Sequence, residues 1–97
     1  MTAVTRFELA SGAEQYADAE QERHLIRDLF EAVPTYPLSE ASADRAGAVH
    51  GVLRGRGRPI GVADAMIAGI ALEAGEQVLT GNRGEFGRVE GLRLESY

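Results

Sequence analysis

The chain has 97 residues, enough for one domain with a small core and too few for two. It contains no cysteine, which excludes disulfides, thiolate zinc sites and cysteine nucleophiles and leaves apolar burial as the stabilising term. Fifteen acidic against ten basic residues give a net charge of −5, which argues against tight DNA binding through phosphate contacts alone. No apolar run nears the roughly 18 residues of a membrane span, and the segment from Met1 to Arg6 lacks the apolar core of a secretory leader. A cytoplasmic protein with no membrane partner is therefore expected.

In chain order, Val4, Phe7, Leu9 and Ala10 surround a single Glu8 and predict a short helix over 4–11 that stops at Gly12. Residues 14–33 predict a second helix. Its N-terminal half is solvated, while Leu25, Ile26, Leu29, Phe30 and Val33 form one apolar stripe. Pro34 ends it, and 35–38 reads as extended. Ser39 is placed to cap a third helix carrying Ala46, Val49, Val52 and Leu53 on one face. The breakers of 55–61 predict a loop.

From Val62, apolar residues recur at 63, 66, 67, 70, 71 and 74, predicting an amphipathic helix closed by Gly75. Residues 77–80 read as a buried strand, 81–84 as a turn, and 92–94 as a last strand. Helices alternating with short strands at these spacings predict an α/β fold with a parallel sheet covered by helices.

Three of the carboxylates are not simply solvent-facing charge. Glu8 stands among apolar neighbours, Asp64 opens the most apolar helix, and Glu85 follows the 77–80 strand and its turn. At the C-terminal edge of a parallel sheet, strand ends and the following helix starts share one rim, so Asp64 and Glu85 can converge. Clustered carboxylates are unfavourable unless one is protonated or a cation neutralises them, and hard oxygen donors suit Mg²⁺ or Mn²⁺. The plainer alternative makes Asp64 a first-turn residue favoured by the helix dipole, worth about 0.3–1 kcal/mol, and Glu85 a solvated turn residue. Arg54, Arg56 and Arg58 concentrate positive charge in a glycine-rich loop, either to bind phosphates or as a mobile solvated segment. His24 and His50 have no partner carboxylate in the pattern and do not read as general bases. The glycine-rich stretch 81–87 lacks the ending of a phosphate loop.

The run Ile60–Tyr97 resembles the C-terminal half of a PIN domain of the VapC toxin type. An Asp opens an apolar Asp64-Ala-Met-Ile-Ala helix, a strand ends in Thr80, Asn82 follows, and Glu85-Phe86 precedes a Val-x-Gly-Leu-x-Leu segment. The upstream Glu8-Leu-Ala-Ser-Gly12 is similar to the family's Glu-Leu-x-x-Gly helix. The resemblance implies a PIN-like α/β/α ribonuclease with a parallel sheet, one or two Mg²⁺ or Mn²⁺ ions, an RNA substrate, an antitoxin partner and a homodimer. It implies Glu8, Asp64 and Glu85 as metal ligands and catalytic residues, with Thr80 and Asn82 lining the pocket. Glu85 stands where the family usually has Asp, one methylene shorter. The family also opens on a central strand bearing a first Asp, whereas no acidic residue precedes Glu8 here. The expectation is a single domain over 1–97, truncated by roughly forty residues at its N-terminus. Two outcomes stay open: an active metal nuclease, or an inactive remnant that binds antitoxin or dimerises.

Overall fold

A computed structural model of the chain describes residues 1–81 and 83–96. Helix α1 spans Ala3–Ala13, with the Thr2 hydroxyl accepting from the Thr5 amide at 3.0 Å. It runs through Gly12, the stop predicted from sequence, because Gly12 does not adopt the left-handed conformation that ends a helix and Ala13 still has a buried place to fill. Helix α2, Ala19–Ala32, starts later than the predicted residue 14 because the Asp18 carboxylate caps it, accepting from the Gln21 amide at 3.1 Å. No residue of α2 is buried, so its apolar stripe is only partly covered. The α1–α2 pair is pinned at its edges by an Arg23–Glu14 pair at 2.7 Å and by the Arg6 guanidinium 4.2 Å over the Phe30 ring.

Helix α3, Glu40–Gly55, begins with the predicted Ser39 cap, made reciprocal by Ser42: each side chain accepts from the other's amide, at 3.1 and 2.7 Å. Helix α4, Val62–Ala74, ends at Gly75, whose φ of 68° is the left-handed geometry that glycine adopts without strain. The sequence predicts one apolar face on α4, but all five residues from Ile67 to Ala71 are buried, so the helix is enclosed on nearly every side. Leu53, Ile60, Ala65, Ala68 and Val89 pack on one flank, and Ile67, Ala71, Val78 and Phe86 on the other. Against α3 the approach is backbone-close. A Cβ on Gly69 would lie 2.6 Å from the Ser42 carbonyl and 2.7 Å from the Ala46 Cβ.

Strand β1, Val78–Thr80, pairs in parallel with β2, Leu94–Ser96, Val78 opposite Leu94, across a connection holding the short helix α5, Arg83–Phe86. The last strand thus lies two residues later than the predicted 92–94, because Gly91 turns the chain at φ 80° and Leu92 is drawn into the core between both clusters. A separate parallel bridge joins Thr2 to Tyr36 in the predicted extended piece. The parallel α/β layering expected from the sequence is the one found. The radius of gyration is 14.3 Å, against about 12.5 Å for a compact chain of this length, and the longest axis is 43 Å.

Candidate active site

Asp64 enters on the first turn of α4, a helix fixed by burial on both flanks. Glu85 is carried by α5, which Phe86 fastens to α4 through the cluster with Ile67, Ala71 and Val78. The exit from α5 requires Gly87: its amide donates to the Arg83 carbonyl at 2.7 Å, and a Cβ there would stand 2.6 Å from the same oxygen. Two rigid attachments therefore bring Asp64 and Glu85 into a direct side-chain hydrogen bond. Glu8, exposed on α1, acts on Asp64 through its charge alone.

Burial, the hydrogen bond that the Asp64 carboxyl donates to Glu85 and the charges of Glu85 and Glu8 push the Asp64 carboxyl up to about 6. The helix dipole acts in the opposite direction, by about 0.3–1 kcal/mol at a first turn, and is outweighed. Asp64 is thus more than a residue placed to suit the dipole. Two carboxyl groups held together are relieved by a proton or by a cation, and their hard oxygen donors would fit a divalent ion. Among the described residues no three Asp, Glu, His or Cys side chains stand together closely enough to hold one ion, so the pair, rather than the triad with Glu8, is the assembled unit.

Thr80 is buried at the C-terminal end of β1, the end that leads into α5. Asn82 lies outside the described residues. Arg54, Arg56 and Arg58 are all exposed at the end of α3 and in the following loop, and none is among the groups that shift Asp64. An arginine in contact would lower that carboxyl, so the strip is not drawn onto the acid pair. His24 is exposed and His50 half-buried, and neither acts on Asp64. Arg88 is a residue that sequence patterns do not single out. Its guanidinium donates to the Pro59 carbonyl at 2.8 Å, tying the loop before α4 to the turn after α5.

The PIN-domain family model matches residues 1–92. The chain belongs to the PIN-domain family. Within it, this PIN chain is of the VapC type. It is 35% identical over all 97 residues to the tRNA(fMet)-specific endonuclease VapC of Shigella flexneri, covering 74% of that protein. Its structure superposes with a TM-score of 0.91 on DNA-bound VapBC from Salmonella typhimurium, at 30% identity over 98% of this chain and 72% of that one. VapBC-1 from nontypeable Haemophilus influenzae gives the same score at 32% identity, over 99% and 72%.

Proposed function

We propose that the chain is a VapC-type toxin endoribonuclease dependent on Mg²⁺ or Mn²⁺, with Asp64 and Glu85 as metal-holding catalytic carboxylates. The observation that carries this is the hydrogen-bonded Asp64–Glu85 pair at the rim expected of a parallel α/β sheet. A bound divalent ion would supply Lewis acidity toward the scissile phosphodiester. The chain's own residues do the rest. Asp64 gives up its proton and, with Glu85, presents carboxylate oxygens from α4 and α5, which Phe86 packs together. Glu8 adds negative charge from α1 that would draw the cation toward the pair, while Thr80 lines the pocket. Arg54, Arg56 and Arg58 hold RNA phosphates away from the acid pair, where positive charge does not compete for the carboxylates.

The named relatives, endonucleases specific for tRNA(fMet), support an RNA substrate, and the VapBC complexes support an antitoxin partner. Phe7, 70% exposed on α1, and Leu25, 57% exposed on α2, offer an uncovered apolar face that suits an antitoxin segment or a second copy in a homodimer.

The second reading is an inactive PIN module that binds antitoxin without cleaving. The limit of two assembled carboxylates among the described residues favours it. Incubation of the 97-residue protein with structured RNA and Mg²⁺ or Mn²⁺, beside Asp64→Asn and an EDTA control, separates the two. Cutting that is lost in the variant and in EDTA supports the enzyme. No cutting by the folded protein, or full cutting by Asp64→Asn, removes it.

A further inference from the structure

The acid pair is carried by two elements whose apolar contact does not by itself fix their mutual orientation. Phe86 meets α4 at Ile67 and Ala71, about one to two turns beyond Asp64, and burial of this kind is non-directional. On that contact alone, α5 is free to pivot about the ring and carry Glu85 away. A second fastening lies on the other side of Asp64. Arg88 Nη1 donates to the carbonyl of Pro59, five positions before Asp64, at 2.8 Å. Both ends of this bond are held. The Arg88 amide donates to the Glu85 carbonyl at 3.1 Å, and Val89 shares a core cluster with Ile60, the residue after Pro59. From there the chain passes through Gly61, whose carbonyl accepts from the Ala65 amide at 2.9 Å, into the first turn of α4.

Neither charge nor stability accounts for an arginine at this place. Arg88 is absent from the groups that act on Asp64, so it does not tune the pair through its charge. Its Nε is buried with no hydrogen-bond partner among the described residues, an unfavourable arrangement that an apolar side chain of similar length avoids. What the guanidinium supplies is reach and a directional bond. We propose that Arg88 is a positioning residue, whose bond to Pro59 sets the distance and orientation at which Glu85 meets Asp64. The consequence for a divalent cation rests on the nuclease reading, whereas the positioning itself does not.

The test uses Arg88→Met, which keeps an unbranched apolar stem and removes the bond to Pro59. It is combined with Asp64→His and Glu85→His, so that Zn²⁺ binding by the two imidazoles, followed by calorimetry on the whole chain, reads how well the two positions are held together. The control is Arg45→His with Glu73→His, at the ends of a 2.6 Å ion pair between α3 and α4 that shares no hydrogen bond with Arg88. Arg88→Met should weaken Zn²⁺ binding at least tenfold at positions 64 and 85 and less than twofold at positions 45 and 73. Unchanged affinity at 64 and 85 overturns the proposal, and so does an equal loss at both pairs, which general loosening would produce. The natural acids supply a second measurement, decisive if the histidine pair fails to fold. With free Mn²⁺ read by EPR, Arg88→Met should bind the ion at least tenfold more weakly than the parent, and equal binding overturns the proposal. A parent that binds no Mn²⁺ removes the nuclease reading and leaves the histidine pair to decide the role of Arg88.

Discussion

Gly69→Ala is the sharpest perturbation of the fold that carries Asp64. The new methyl would sit 2.6 Å from the Ser42 carbonyl oxygen and 2.7 Å from both the amide nitrogen and the Cβ of Ala46. Two of these three atoms are backbone, so no rotamer change relieves the clash and α3 must move off α4. Overpacking of this kind costs about 1–3 kcal/mol, and the absence of a flexible neighbour places it at about 3. The gain in helix propensity from glycine to alanine returns about 1 kcal/mol. A net loss of about 2 kcal/mol lowers the melting temperature by about 8–16 °C in a domain of this size. Gly47→Ala is the control. It lies within α3, and a Cβ there meets nothing within 4 Å, so only the propensity gain applies and stability rises by up to about 1 kcal/mol. Urea unfolding of both variants, with unchanged slope, reads the two signs directly. A Gly69→Ala protein as stable as the parent would refute the close helix contact.

The Asp64 carboxyl is raised from 3.8 to about 6, so between about pH 4 and 6 the folded chain binds more protons than the unfolded one, and stability falls as pH rises through that window. Asp64→Asn should flatten this stretch of a melting-temperature profile and melt higher than the parent at pH 7, and a profile unchanged by the substitution would contradict the carboxylate pair. Under the proposed function, Mg²⁺ at pH 7 raises the parent's melting temperature and leaves Asp64→Asn unaffected, measured by thermal scans with and without EDTA. Ser42→Ala deletes the reciprocal cap at a buried position and costs about 1 kcal/mol by urea unfolding. Replacement of Arg54, Arg56 and Arg58 by glutamine weakens RNA binding and flattens its salt dependence, while the Asp64 titration measured by NMR stays in place.

Elements governed by local chemistry were readable from the residues. The Ser39 cap, the Gly75 stop and the extended 35–38 segment each depend on neighbours within a few positions. The same holds for Asp64 and Glu85, whose meeting follows from the rule that strand ends and helix starts share a rim. What depends on packing was not readable. The periodicity of α4 suggests one apolar face, yet alanines and Gly69 on the remaining positions are small enough to admit α3, and only the assembled fold shows that side covered. Helix α5 begins inside the 81–84 stretch that the sequence predicts as a turn, because four residues are too few to show a period. Whether Glu8 joins the acid pair depends on the angle of α1 against α4, which sequence spacing does not encode.

The uneven distribution of burial has a consequence for how the molecule opens. Helix α4 is enclosed by both core clusters, whereas α2 has no buried residue and rests on α1. Local unfolding should therefore be graded along the chain: α2 frays at low free energy, while the amides of Ala68 to Ala71 exchange only when the entire domain unfolds. An antitoxin segment settling on the α1–α2 face would act on the least stable part of the protein. It would slow exchange and proteolysis there first, leaving the helix that carries Asp64 as rigid as before.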